Sequence, residues 1–121
     1  VTVDFGSTIA HGFGVAVDPS DRIVAIGRGY AGPDYRGSGF ALVRLQENGT
    51  LDPGFGSGGR VTNVFGGRGA IGYAVALDAG GRVVVAGAAY AVASAETDLA
   101  VGRFRSPEAA TGFGEGVIVG A

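Results

Sequence analysis

The chain has 121 residues, and its composition excludes several classes of protein before any pattern is considered. Only 17% of the residues are charged, the net charge is −2, and every basic residue is an arginine, so nothing resembles a nucleic-acid-binding footprint. There is no cysteine, which excludes disulfides and thiolate metal sites. No apolar run reaches the roughly 20 residues that a membrane-spanning helix needs, so we expect one small domain with no nucleic-acid partner and no membrane-spanning segment.

An internal repeat organises the whole chain. Residues 1–27 align without a gap with residues 61–87, and the alignment resumes after a one-residue deletion at Ala41/Ala100 and Arg44/Arg103. We therefore divide the chain into a first repeat, 1–60, and a second repeat, 61–121, which is shortened at its end. Identical pairs include Val1/Val61, Thr2/Thr62, Phe5/Phe65, Gly6/Gly66, Val15/Val75, Ala16/Ala76, Asp18/Asp78, Arg22/Arg82, Val24/Val84 and Gly27/Gly87.

Each repeat is predicted to contain four β-strands, because its apolar stretches are short, rich in β-branched residues and bounded by glycine, proline, aspartate or asparagine. The sequence thus predicts an all-β protein of two four-stranded antiparallel repeats. The predicted strands are residues 1–5, 14–17, 22–27 and 40–45, then 61–65, 73–77, 82–87 and 99–104, with a short strand at 117–119.

Tight turns are predicted between several of these strands. Residues 18–21 and 78–81 are four-residue connections of the hairpin type. Asn48, Gly49 and Thr50 form a glycosylation sequon, but Asn-Gly is also a strong turn signal, and we favour the turn. On one face of the predicted strand at 40–45 the last side chain is Arg44, which we expect to bridge neighbouring sheets.

The first repeat contains Val15, Ala16, Val17, Asp18, then Arg22, Ile23, Val24, Ala25, then Phe40, Ala41, Leu42, Val43, Arg44, then Asn48, Gly49, Thr50, Leu51, Asp52, and finally Phe55 and Gly56. These residues resemble a known family, the delta-60 repeat. The resemblance implies blade-like units of a β-propeller type that belong to a larger ring or assembly, in large and often exported bacterial proteins. It also implies an extracellular, cell-surface or periplasmic location, and it brings no catalytic residues with it.

A glycine pattern at Gly67, Gly69 and Gly72 has the spacing of a dinucleotide-binding loop. The residues that follow are too few for the crossover helix of that fold, and Ala88 stands where a ribose-binding acid is needed. We interpret these glycines as loop residues, and no cofactor is expected.

Metal sites and catalytic pairs receive little support from the sequence. His11 is the only histidine and has no second ligand beside it, so we interpret it as a loop residue. The aspartates lack the spacing of a calcium loop and are interpreted as turn formers, with a calcium ion between two blades as the alternative; they are Asp18, Asp21, Asp52 and Asp78. The phenylalanines that recur beside glycine are predicted to pack in the core or between blades; they are Phe5, Phe55, Phe65 and Phe113.

Strand parity predicts one candidate binding face. In an antiparallel meander alternate connections lie at the same edge. This places Tyr30, Tyr35 and Tyr90 in loops that share one face with several charged residues. Tyrosine and arginine are enriched at binding surfaces, although longer loops that merely tolerate variation would look the same. The candidate residues are Tyr30, Asp34, Tyr35, Arg36, Arg68 and Tyr90, with His11, Glu96 and Asp98 on the same face.

Two functions from different classes fit these observations. The first is a non-catalytic structural or interaction module whose partners are other protein chains or further copies of the repeat. The alternative is a carbohydrate-binding or hydrolytic β-propeller whose site is completed by other blades. Because a two-unit array leaves two sheet faces bare, we expect the isolated chain not to be stable as a monomer.

Overall fold

The computed structural model describes residues 1–3, 9–30, 39–63, 70–90, 97–104 and 115–119. All regular structure in these ranges is β-strand, and no helix there is long and apolar enough to cross a membrane. The strands are β1 (Ile9–Val17), β2 (Ile23–Tyr30), β3 (Gly39–Leu45), β4 (Arg60–Asn63), β5 (Ala70–Leu77), β6 (Val83–Tyr90), β7 (Thr97–Phe104) and β8 (Glu115–Val119).

The strands form two antiparallel sheets of four, each in chain order: β1-β2-β3-β4 and β5-β6-β7-β8. The predicted all-β class and the four-stranded antiparallel arrangement are therefore confirmed. Most of the strands begin earlier or end later than predicted, because glycine residues that read as breaks in the sequence are paired inside the ladders. Gly12 lies opposite Gly27, for example, and Gly72 lies opposite Gly87.

The boundary between the two sheets lies one strand later in the chain than the boundary between the two sequence repeats. β4 contains Val61, the first residue of the second sequence copy, yet it pairs with β3 of the first sheet, with Val61 opposite Leu42. In the same way Val117 of β8 lies opposite Val101 of β7. The strand predicted at residues 1–5 is not present at residues 1–3, and the rest of it lies outside the described residues. The outer position beside β3 is filled by β4, so residues 1–3 have no free third strand to pair with there.

A β-bulge interrupts the first strand of each sheet at the same point. The pairing shifts between Gly12 and Gly14 in β1, and between Gly72 and Ala74 in β5. Two interpretations are therefore wrong: Gly72 is a strand residue rather than a loop residue, and His11 lies within β1, opposite Arg28. Both follow from the bulge, which lets the strand continue through a glycine-rich stretch.

The predicted turns are confirmed. The amide of Asp21 donates to the carbonyl of Asp18 at 3.0 Å, and the amide of Gly81 donates to that of Asp78 at 3.0 Å. Gly49 has a φ of 86°, which glycine adopts without strain, and its amide donates to the carbonyl of Gln46 at 2.9 Å.

The two sheets pack face to face in a head-to-tail manner. We call the side of the first sheet that carries Val24, Ile26 and Leu42 its front face, and the equivalent side of the second sheet, with Val84 and Ala86, the second front face. The opposite sides are the rear faces. The front face of the first sheet packs on the rear face of the second in a single core, whose residues are Val24, Ile26, Leu42, Phe55, Val61, Ala70, Val83, Val85, Ala89, Ala100 and Phe104.

The first strands of the two sheets lie close to each other. A Cβ built on Gly14 of β1 would lie 3.3 Å from the carbonyl oxygen of Tyr73 in β5, and 3.2 Å from a methyl carbon of Ile26. The glycine at this position therefore lets the two strands lie side by side. Its counterpart in the second sheet is Ala74.

Candidate functional site

Two clusters of polar or aromatic side chains stand out among the described residues. The first is a charged cluster formed by Asp18, Arg22, Arg44 and Asp52. The second is an aromatic cluster formed by His11, Phe13, Arg28 and Tyr73.

The charged cluster is centred on Arg44, whose side chain is only 3% exposed. Its Nε donates to Oδ2 of Asp52 at 2.7 Å, and its guanidinium carbon lies 4.6 Å from the centre of the Phe55 ring. Asp52 also lies 3.8 Å from Nη1 of Arg22. That Arg44 bridges neighbouring sheets stays a prediction; its ion pair with Asp52 lies within one repeat and ties β3 to the connection that follows it.

A second ion pair closes the β1–β2 hairpin. Arg22 donates through Nε to Oδ2 of Asp18 at 2.6 Å, while Oδ1 of Asp18 accepts from the amides of Ser20 and Arg22. The second repeat rebuilds this arrangement: Nε of Arg82 lies 2.6 Å from Oδ2 of Asp78. The interpretation of these aspartates as turn formers is confirmed, because each carboxylate replaces backbone partners that the turn leaves open.

The hydrogen bonds at these carboxylates outweigh the effect of burial on their pKa. Burial alone would raise the pKa of Asp18, but the amide and guanidinium of Arg22 and the amide of Ser20 bring it below its usual value. Burial likewise opposes the amide of Gly54 and the guanidinium of Arg44 at Asp52, whose pKa is also lowered. At Asp78 the amide of Arg82 is the largest influence and lowers the pKa.

The chemistry of the charged cluster is therefore structural. Each of its carboxylates is held ionised by an arginine, which suits neither a general acid nor a general base that must exchange a proton near neutral pH. Within the described ranges no group of three or more histidine, aspartate or glutamate side chains could hold a metal ion.

The aromatic cluster lies at the two bulges, where one side chain of each first strand is turned outward. Phe13 and Tyr73 occupy equivalent positions in β1 and β5, are 46% and 50% exposed, and have ring centres 5.2 Å apart. Nε of Arg28 donates to Nδ1 of His11 at 3.3 Å, and its guanidinium carbon lies 6.0 Å from the centre of the Phe13 ring. The result is an exposed surface of two aromatic rings beside a cation and an imidazole.

The sequence did not single out most of this cluster. In the alignment of the two repeats Phe13 matches Tyr73, a pairing that suggests a shared apolar face, whereas both rings are half exposed. The signal that could have revealed them is their setting, since each aromatic stands between small residues, Gly12 and Gly14 in one repeat and Gly72 and Ala74 in the other.

The candidate binding face predicted from strand parity is described only in part. Tyr30 ends β2 opposite Ile9, and Tyr90 ends β6 opposite Thr97, so the backbones of both lie where β1 and β7 begin. We call this edge of the two sheets the entry rim. Asp98 lies in β7, opposite Ala89. The remaining candidates lie outside the described residues, and their common face stays a prediction: Asp34, Tyr35, Arg36, Arg68 and Glu96.

The predicted packing role of the recurring phenylalanines is confirmed for Phe55, which is buried in the core beneath Arg44. Phe5, Phe65 and Phe113 lie outside the described residues, so their role stays a prediction.

Comparison with known proteins adds one match. Residues 19–55, which run from the β1–β2 turn through β3 to Phe55, match the family described as a domain of unknown function (DUF5122) beta-propeller. No curated protein matches the chain, and no solved structure matches it. With the two four-stranded meanders, this match shows an all-β chain of blade-like repeats of the β-propeller type.

Proposed function

We propose that this chain is a non-catalytic structural and interaction module that packs head to tail with further repeats of its own kind. On the residues quoted above we assign these repeats to the delta-60 type, and we place the module in an exported bacterial protein or a multi-subunit assembly. The proposal rests on one observation about the sheet faces. The front face of the first sheet packs on the rear face of the second, and the remaining rear and front faces both expose apolar side chains.

The rear face of the first sheet is the clearer of the two ends. Val15 and Val17 are 66% and 59% exposed there, whereas their counterparts Val75 and Leu77 are packed against the core by the first sheet. The same positions are thus covered in one repeat and uncovered in the other. A repeat of the same kind fits this surface, because its front face has the shape and apolar character that already cover Val75 and Leu77.

The other end of the chain presents the complementary surface. The front face of the second sheet carries Leu99, which is exposed, together with the partly buried Val84 and Val101. Two different faces that fit each other make a head-to-tail interface, which generates a ring if the rotation closes and an open array if it does not.

Sedimentation velocity of the 121-residue chain tests this proposal. We expect the weight-average mass to rise with concentration, and we expect Val17→Glu to abolish the rise, because a charge cannot be buried unpaired in an apolar interface. The matched control is Thr50→Glu, which adds the same charge at an exposed turn away from both faces. Self-association that Val17→Glu leaves unchanged would contradict the proposal.

A second function, carbohydrate binding, is favoured by the aromatic cluster alone. Exposed aromatic faces beside hydrogen-bonding groups can stack on a sugar ring and bond its hydroxyls, and Phe13, Tyr73, Arg28 and His11 offer that combination. We favour binding over hydrolysis, because the aspartates of the charged cluster are held by arginines.

Affinity electrophoresis in gels that contain soluble polysaccharides tests the second function. If it is right, at least one polysaccharide retards the chain and Tyr73→Ala removes the retardation, whereas Leu99→Ala, at an exposed apolar position on another strand, does not. Equal retardation of Tyr73→Ala and the unmodified chain would exclude this cluster as the binding site.

A further inference from the structure

Arg60, on the rear face of the first sheet, has incomplete hydrogen bonding. It begins β4 opposite Val43, in a row that continues through Ala25 to Val15 of β1. Residues that lie opposite each other in an antiparallel ladder have their side chains on the same face, so Arg60 shares the rear face with the exposed Val15. Nε of Arg60 is buried, and within the described part of the chain it has no hydrogen-bond partner. A buried N–H group in this state costs free energy until an acceptor reaches it.

The two rear faces differ at this position. In the second sheet the place of Arg60 is taken by Gly116, which lies opposite Gly102 as Arg60 lies opposite Val43. The second rear face is the one that packs on the first sheet. The rear face that is covered inside the chain therefore has a glycine where the rear face that exposes Val15 has a cation.

The two front faces differ in the complementary way. Glu115 of β8 lies opposite Arg103, whose partner in β6 is Val84, so it occupies a place on the second front face. The same place on the first front face belongs to Gly59, whose carbonyl accepts from the amide of Arg44 at 2.9 Å. The front face that is packed inside the chain therefore has a glycine here, and the other front face has a carboxylate.

The packing inside the chain indicates how a second copy aligns with the first. A Cβ built on Gly14 of β1 would lie 3.6 Å from Cα of Ala74, its own counterpart in β5. The outer strand takes part as well, since Val61 of β4 belongs to the shared core. A second copy that covers the rear face of the first sheet in the same manner places its β8 along β4. The carboxylate of one face then lies beside the cation of the other.

We propose that Arg60 forms an ion pair with Glu115 of a second copy of this chain, and that the pair selects the end by which the copy docks. The pair rests on the proposed head-to-tail function and names the surface that docks. A copy that turned its first front face toward Arg60 would offer Gly59, which has no side-chain acceptor. Copies are therefore joined with the second sheet of one on the first sheet of the next.

The arginine in the same sheet as Glu115 is compatible with this pair. One carboxylate of the chain already serves two arginines, because Oδ2 of Asp52 lies 2.7 Å from Nε of Arg44 and 3.8 Å from Nη1 of Arg22. A carboxylate has enough acceptor positions for both. Glu115 can accordingly accept from the second copy while Arg103 stands opposite it in its own ladder.

Exchange of the two charges in separate chains tests the pair by sedimentation velocity. Arg60→Glu places two carboxylates together at the interface, and Glu115→Arg places two guanidinium groups together. Each variant alone is expected to self-associate at least about tenfold more weakly than the unmodified chain, because like charges repel across an interface. An equimolar mixture should regain the affinity of the unmodified chain, since every contact between the two variants joins an arginine to a glutamate.

Two further variants serve as controls. Glu47→Arg makes the same substitution as Glu115→Arg at an exposed turn residue and should leave self-association unchanged. Arg60→Gln removes the ion pair without adding repulsion, and a loss of affinity of about threefold is expected. Unchanged affinity of Arg60→Gln would overturn the pair. Recovery in the mixture also shows that both charge-exchanged chains are folded, because an unfolded chain could not restore association.

The outcomes separate the ion pair from the head-to-tail packing. If Val17→Glu abolishes self-association but neither Arg60→Glu nor Glu115→Arg weakens it, the ion pair is overturned and the packing stands. Weak association of both variants, each folded by circular dichroism, with no recovery in the mixture would overturn the pair as well. An unmodified chain that does not self-associate would count against the packing and the pair together.

Discussion

Gly27 shows at the scale of a single residue why the bulge in β1 requires glycine on the neighbouring strand. A Cβ built on Gly27 would lie 1.7 Å from the carbonyl oxygen of His11, so the backbone itself would have to move. Gly12, which is its partner across the ladder, has nothing within 4 Å of the same position. The two glycines therefore differ sharply in what they tolerate, although the sequence presents them alike.

Gly27→Ala is expected to lower the free energy of unfolding by about 3 kcal/mol or more, since overpacking against backbone cannot be relieved by a side-chain rotation. Gly12→Ala is the matched control and should leave stability unchanged or raise it by about 0.5 kcal/mol through the unfolded state. Urea unfolding of the two variants measures both effects. Equal effects of the two substitutions would contradict the close approach at Gly27.

The charged cluster predicts how stability depends on pH. Asp18 and Asp52 have pKa values lowered from 3.8 in the folded chain, so the folded state binds fewer protons than the unfolded state in acid. The stability that they contribute is fully present above pH 3.8 and is lost as the pH falls through the folded pKa values.

Asp52→Asn should remove part of that dependence. We expect the variant to be less stable than the unmodified chain at neutral pH, because Arg44 stays buried without its carboxylate, and to lose less stability on acidification. Urea midpoints measured from neutral pH to about pH 2 compare the two slopes. If the two chains show the same slope, Asp52 is not a source of the acid sensitivity.

At the scale of the elements, the repeat sequence predicted most strands and turns but not the phase of the sheets. Val15, Val17 and Val24 marked strands through their β-branched side chains, and Asp18 with Pro19 marked a reversal. The first half of β1 was not predicted, because its bulge contains glycines and glycine in a sequence usually indicates the end of a strand. The phase was not predictable from identities alone, since a repeat can be cut at any point without changing its alignment.

The candidate site was less predictable than the fold, for a related reason. Pairing within a hairpin follows from chain order, but whether an aromatic side chain points to the core or to solvent depends on where the bulge shifts the pleat. The match of Phe13 with Tyr73 between the repeats therefore suggests an apolar face, although both side chains are half exposed. The Arg44–Asp52 ion pair was not predictable either. It depends on how the connection between β3 and β4 folds, and the spacing of the two residues in the sequence does not reveal that.

The two equivalent hairpins make an internal comparison possible. Asp18 is buried and shares Arg22 with Asp52. Asp78 is partly exposed, since its side chain is 23% exposed and that of its partner Arg82 is 40% exposed. Asp18→Ala is expected to lower the free energy of unfolding by about 2 kcal/mol, because it removes the acceptor of the Ser20 and Arg22 amides and of Nε of Arg22.

Asp78→Ala is the matched control and should have a clearly smaller effect, because solvent can replace the lost hydrogen bonds at the more exposed hairpin. Thermal unfolding of both variants, followed by circular dichroism, ranks them. A larger loss for Asp78→Ala would contradict the difference in burial between the hairpins.

At the scale of the whole molecule, the two sheets share one core, and among the described residues each sheet still exposes apolar side chains, Val15 and Val17 on the rear face of the first and Leu99 on the front face of the second. We expect the chain with a third repeat before Val1 to be more stable than the 121-residue chain, because covering Val15 and Val17 contributes about 1.5 kcal/mol for each side chain. The melting temperatures of the two chains at equal concentration measure the gain. Val17→Glu in the longer chain is the control and should reduce it.

The opposite result has a clear signature. A 121-residue chain that stays monomeric at micromolar concentration and melts cooperatively above about 50 °C, within the usual mesophile range, would show that two repeats suffice. The expectation that stability comes from outside the chain would then be wrong.

The positions of the strand ends make the two rims of the module unequal. The chain leaves the first sheet at Asn63 and enters the second at Ala70, both on the entry rim, while the described connections on the opposite rim, such as the turn at Gly49, stay within a sheet. A foreign domain inserted at Gly49 would lengthen one turn and leave the path from sheet to sheet intact, whereas an insertion between Asn63 and Ala70 would lengthen the link between sheets. New binding loops can therefore be grafted on one rim without changing how the repeats are strung together.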